Sequence, residues 1–229
     1  MFKLESSRLI YSFKIGNFPI DITPEIIVQW VIILILWIGA CLLTRNLKQK
    51  PDKKQAALEK LYESIKLLVK NTMGEDYGSF VPYIGTLVVY LLLLNFTGLI
   101  GIEPPTQNLS VTLGLAITTF LAINVNAIRK NGPGKYMKGF AHPYVVMLPI
   151  NIMERVMLPV SLALRLFGNM LAATILVGLV YSKLADIGML AQIGSPIIVH
   201  GYFDLFDGTI QMLVFTMLTM INIKTTAEH

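Results

Sequence analysis

The chain of 229 residues is 54% hydrophobic and only 14% charged, with a formal net charge of +5. Soluble domains carry about 25% charged residues, so this balance excludes an ordinary water-soluble globule and points to an all-α integral membrane protein. The basic residues cluster in loops beside apolar stretches, which fits cytoplasmic flanks of membrane helices and argues against nucleic acid as the partner.

Residues 1–17 are mixed and polar, without a positive segment leading into a short apolar one, so no secretory signal is expected, and the segment 1–25 is read as external. The first apolar stretch, 26–43, is long enough to cross the hydrocarbon. It holds Cys41, the only cysteine, which rules out an internal disulfide and a cysteine-rich metal site and is read as a small buried hydrophobe. Within 51–72, Ala57, Leu61, Ile65 and Leu68 recur at helical spacing opposite Lys60, Glu63, Lys66 and Lys70. This predicts an amphipathic cytoplasmic helix lying on the inner membrane surface or against a partner. The second and third spans are expected at 81–102 and 109–128. A fourth stretch, 145–181, is too long for an upright helix and should tilt strongly, bend, or lie partly along the membrane. The fifth, 197–223, completes a long helix pair within 144–229.

Between the first two spans come Arg45, Lys48, Lys50, Lys53, Lys54, Lys60, Lys66 and Lys70, and between the third and fourth come Arg129, Lys130, Lys135 and Lys138. By the positive-inside rule both loops are cytoplasmic, while the loop with Glu103, Pro104 and Pro105 has no Lys or Arg and belongs outside. The expectation is a single membrane domain over 1–229 with its N-terminus outside and its C-terminus in the cytoplasm.

Arg165 stands near the middle of the fourth stretch. A guanidinium cannot shed its charge, and holding it at membrane depth costs roughly 2.5–3.5 kcal/mol even on the lenient insertion scale. At about 100° per residue, Glu154, Ser161, Arg165, Asn169 and Ala172 fall close to one face. A small, polar face of this kind needs water or a charged partner rather than lipid. In the last stretch Asp204, Asp207 and Gln211 can share a face, by steps of three and four, ahead of an apolar end.

The topology puts Glu154 near the cytoplasmic start of its span, Asp204 and Asp207 near the external start of theirs, and Arg165 between them in depth. This layout describes an ion path in two offset halves separated by a fixed positive charge. A cation near a carboxyl on a mobile partner lowers that carboxyl's pKa, so a bound ion must leave as the partner passes. The same charge blocks leakage of cations from one half to the other.

The run from Pro159 through Ser161, Arg165, Phe167, Gly168 and Asn169 to Ala172 closely resembles the signature of subunit a of the rotary F-type ATP synthases of bacteria. The run Gly208 to Thr219 is similar to that family's last helix, and Asn95 to Gly101 to its second-span segment. The resemblance implies a non-catalytic, ion-conducting stator in the bacterial plasma membrane, without a cofactor. Its last two helices would be tilted against a rotor ring of small carboxylate-bearing membrane subunits. Its other implied partners are the peripheral stalk subunit b, the soluble ATPase sector and the lipid bilayer. Arg165 would be the stator arginine facing the ring, Asn169 and Gln211 would support it and line the path, and Glu154 matches an acidic position on the cytoplasmic side.

Three departures concern the outer path. Thr174 stands where many members have glutamate, and Asp204 where some have histidine, so an acid on the last helix is expected to stand in for the acid missing at Thr174. Asn108 and Ser110 replace an aspartate and an asparagine, making the entrance less acidic there.

Other chemistries find little support. His142, His200 and His229 have no metal-ligand spacing, and the stretch from Gly132 to Tyr136 lacks the glycine and hydroxyl positions of a phosphate loop and reads as a turn. No His-Glu-x-x-His or Gly-x-Ser-x-Gly signature of a hydrolase occurs. The alternative is a self-contained ion-coupled carrier, but there is no internal repeat and five spans divide poorly into two halves. The coupling ion, H+ or Na+, is bound on another polypeptide in this family, so this chain does not specify it.

Overall fold

The computed structural model describes residues 11–15, 18–45, 48, 52–102, 104–139, 145–187 and 201–228. Glu103, His142, His200, His229 and positions 197–200 of the expected fifth span lie outside the described residues. Five helical stretches are long and apolar enough to cross a membrane: Pro24–Thr44, Glu75–Ile100, Leu109–Tyr136, Leu148–Leu184 and Gly201–Glu228. The membrane part is all-α, as expected. A feature not expected from the sequence precedes it: strands β1 (Tyr11–Ile15) and β2 (Phe18–Ile22) pair antiparallel, with Tyr11 opposite Ile22 and Ile15 opposite Phe18. Apolar and polar residues alternate in both strands around a Gly-Asn pair, the usual signature of a hairpin.

Helix α1 (Pro24–Thr44) opens on a proline at its first turn, where a missing N–H costs nothing. Ile32 is its one buried residue among those described, and Trp30 and Trp37 are 60% and 66% exposed. It is therefore an edge helix, and Cys41, read from sequence as buried, is exposed on it. An apolar residue gains as much from lipid as from a protein core, so hydrophobicity did not distinguish the two.

Helix α2 (Lys53–Met73) turns Ile65, Val69 and Met73 inward against α3 (Val81–Asn95) and the last helix, α6 (Gly208–Glu228). The Thr72 hydroxyl also meets the Met217 sulfur at 3.8 Å. The chain's own bundle thus covers much of the apolar face, while Leu61, near one end of it, stays exposed. At Gly74, with φ of 106°, the chain leaves α2 and enters the tight helical turns Glu75–Phe80 that lead into α3.

Helix α4 (Leu109–Gly139) breaks at Gly132, whose φ of 75° and ψ of 156° are open only to glycine, followed at once by Pro133. The turn expected here is this break. Asn131 donates to the Ala227 carbonyl at 3.0 Å, and the Tyr136 hydroxyl reaches back to Asn124, which ties the break to the end of α6 and to α4 itself.

Helix α5 (Leu148–Ile187) has 40 residues, or roughly 60 Å at 1.5 Å per residue, about twice the hydrocarbon thickness. It packs along α4, while α6 packs against α2, α3 and α4 and touches α5. Phe215, Met220 and Ile223 on α6 are buried to 1% exposure or less, so α6 is the central post of the bundle. Many threonines bond their hydroxyls to the carbonyl four residues back, among them Thr86, Thr118, Thr174 and Thr219, which satisfies them without water.

Candidate functional site

The inner side of α5 is made by Leu162, Ala163, Leu166, Met170 and Ala173, all buried. This fixes the helix rotation and sends Ser161, Gly168, Asn169 and Ala172 to the exposed side, with Arg165 half-buried beside them. The polar stripe read from sequence therefore faces out of the bundle. Gly168 has open space where a Cβ would stand. With Ser161 and Ala172, it leaves a shallow surface that a neighbouring helix can approach closely.

Among the described residues, no hydrogen bond or ion pair reaches the Arg165 guanidinium. Asn169, one turn on, donates its amide to the Gln211 oxygen at 2.6 Å, which joins α5 to α6. Gln211 is only 6% exposed, and its own amide nitrogen has no partner among the described residues. A buried unpaired donor costs about 1–3 kcal/mol unless water or an ion takes it up. The Asn169–Gln211 pair thus places a polar group with spare capacity one helical turn from a fixed cation.

The remaining expected residues are spread along the two helices. Glu154 is exposed near the start of α5, and the guanidinium of its neighbour Arg155 lies 5.6 Å from the centre of the Tyr136 ring. Thr174 donates its hydroxyl to the Met170 carbonyl at 3.0 Å, so its proton is committed to its own helix. Asp204 and Asp207 fall in a wide-turned π-helical segment, Gly201–Asp207, directly before α6. Asp207 is half-buried, and the Asp204 side chain lies outside the described residues. The step of seven that aligns Asp204 with Gln211 assumes uniform α-helix, so that arithmetic does not apply across the wide turns.

One polar cluster at the N-terminal end of α6 was missed as a unit. Asn95 at the end of α3 donates to the Gly208 carbonyl, and the Thr106 hydroxyl donates to Asn95. The available signal was an asparagine closing the apolar run from Leu91 to Leu94.

Residues 26–224 match the family model described as ATP synthase A chain. ATP synthase subunit a of Moorella thermoacetica is 33% identical, over 93% of this chain and 94% of its own length. ATP synthase subunit a 2 of a Bradyrhizobium species is 32% identical over 95% of each. The sodium ion specific ATP synthase subunit a of Propionigenium modestum is 32% identical over 97% of this chain and 78% of its own length.

Proposed function

The chain belongs to the ATP synthase A chain family, and on that premise we propose that Arg165 is the fixed charge between two offset half-channels. As a member, the chain is an ion-translocating, non-catalytic subunit of a rotary ATP synthase, a multi-pass membrane protein that works in complex with other subunits of the synthase. The self-contained carrier is not favoured. The finer partners are a ring of small carboxylate-bearing subunits against the α5 stripe, the peripheral stalk subunit b, and the soluble ATPase sector reached through the complex.

The reading is carried by an arginine at membrane depth, on an outward face of small and polar residues, with no partner among the described residues. A cation placed so at a cost of kilocalories finds its counter-charge on a molecule that passes. At about 4 Å and an effective dielectric constant near 20, a charge pair is worth roughly 4 kcal/mol, about three pKa units. That suffices to expel a proton, or a bound Na+, from a carboxyl brought opposite Arg165. Ions enter or leave on the outer side by way of Asp204 and Asp207, and on the cytoplasmic side by way of Glu154. Asn169 and Gln211 carry the polar path past the arginine, with Ser161 and Thr174 lining the same helix. The coupling ion is H+ or Na+, and flux measured with each alone identifies it.

The test is ATP-driven ion pumping and passive leak in vesicles carrying the whole complex, with Arg165 intact or replaced. Arg165→Ala should abolish pumping while the soluble ATPase still turns over, and should add a leak where the seal is lost. Undiminished coupled pumping would show that the arginine is structural.

A further inference from the structure

Asn95 ends α3 at 1% exposure, in a helix that is otherwise apolar around it. Its amide nitrogen donates to the Gly208 carbonyl at 2.9 Å, and its oxygen accepts from the Thr106 hydroxyl at 3.4 Å. Thr106 is itself fully buried, in the short turn Pro105–Gln107 that packs on α1, α3, α4 and α5. One amide thus joins the outer end of α3, the turn between two spans and the first residue of α6. Leaving such an amide unpaired in this interior would be costly, so the arrangement that satisfies both its ends is strongly preferred.

The approach is also close: a Cβ at 208 would lie 3.0 Å from the Asn95 Cβ, so a side chain there would press the two elements apart by a few tenths of an ångström. Gly208 is the residue at which the wide turns of Gly201–Asp207 give way to ordinary α-helix. A wide turn closes its hydrogen bonds over five residues instead of four, so each residue advances through a smaller angle. The angle between Asp207, on the wide turns, and Gln211, one turn into α6, is therefore set at this junction.

We propose that Asn95 is a positioning residue of the outer half-path. By holding the Gly208 carbonyl it fixes where the wide turns stop, and with that the direction Asp207 faces relative to the Asn169–Gln211 pair. This rests on the ion-path reading above and adds to it a residue that need touch neither ion nor ring. Thr106 acts one step further back, orienting the Asn95 amide.

A brace that only held helices together would weaken assembly or slow ion entry from both sides alike; a positioning role is one-sided. The experiment uses vesicles carrying the whole complex and records ATP synthesis under an imposed gradient. Coupling-ion concentration is varied at the outer face with the inner face fixed, and then the reverse, using pH in one series and Na+ at fixed pH in another. Asn95→Leu should shift the half-saturating concentration at the outer face, leave that at the inner face unchanged, and lower the maximal rate by about tenfold, short of the roughly hundredfold that a 1 Å misplacement can cost. Thr106→Val should shift it in the same direction by less. Asp207→Asn, made alongside, should also move the outer profile only.

An assembled Asn95→Leu complex in which both profiles move together, or neither moves, overturns the proposal. Should Asn95→Leu not assemble, Thr106→Val decides by the same criterion, since it removes one hydrogen bond at little change of shape. An unmoved outer profile in Asp207→Asn overturns the ion-path role of that acid and this inference with it. A moved one beside unmoved Asn95 and Thr106 variants overturns this inference alone.

Discussion

Arg165 and Gln211 make opposite uses of burial. The arginine is half-buried on an outward face and reaches no partner among the described residues, so its charge is available to whatever passes. Gln211 is held inside, accepting from Asn169 at 2.6 Å, with its own amide nitrogen unpaired among the described residues. Gln211→Leu would remove the acceptor for the Asn169 amide and delete the spare donor. Because Asn169 is exposed, what is lost is the net value of one hydrogen bond, about 0.5–1.5 kcal/mol, or roughly two- to twelvefold if it falls on the transport barrier. Coupled pumping in Gln211→Leu vesicles should fall within that range while the soluble ATPase is unaffected; a rate within twofold of the parent would remove Gln211 from the path. Arg165 was legible in the sequence because a charge in an apolar stretch stands out by itself. The Asn169–Gln211 bond was not, because the two residues come from different helices and their meeting depends on how those helices pack.

At the scale of elements, the amphipathic helix α2 shows how far periodicity carries. Its spacing predicts a helix with one apolar face; the chain is helical over Lys53–Met73, and the bundle covers Ile65, Val69 and Met73 while Ala57 and Leu61 stay exposed. Val69 is 1% exposed, so Val69→Asp places an unpaired carboxylate in an apolar contact, at a cost of several kcal/mol unless the helix lifts away. The expected outcome is undocking of α2, seen as faster proteolysis of the 52–73 segment in membranes with the remaining spans intact. Unchanged protection would mean that α2 is held by something other than this face. The wide turns of Gly201–Asp207 mark the opposite limit. Counting residues places Asp204 and Gln211 on one face only if the helix is uniform, and nothing local in that stretch announces that it is not.

For the whole molecule, the decisive expectation is its direction in the membrane. By the positive-inside rule the Lys and Arg residues before α3 and at the end of α4 are expected in the cytoplasm, which would put the hairpin outside and the end of α6 inside. Cys41 is exposed on α1, so thiol labelling needs Cys41→Ser first. In that background Lys14→Cys should react with an impermeant thiol reagent added to intact cells, and Glu228→Cys only once the membrane is opened. The reverse pattern would exchange the outer and inner half-paths, and with them the roles of Asp207 and Glu154.

What the sequence determined by itself is what hydrophobicity and charge determine along a line: the spans, the fixed cation in the fourth of them, the direction suggested by the basic loops, and the family signature around Arg165. The tertiary structure decided which faces meet. In water a helix announces its inner face by being apolar on one side, but in a membrane lipid and protein interior are alike to an apolar side chain. The sequence of α1 therefore could not reveal that Cys41 and both tryptophans face outward, nor that of α6 that it stands at the centre. Packing alone brings Asn169 to Gln211, turns Arg165 out of the bundle, and seats Asn95 on the one residue of α6 that has no side chain.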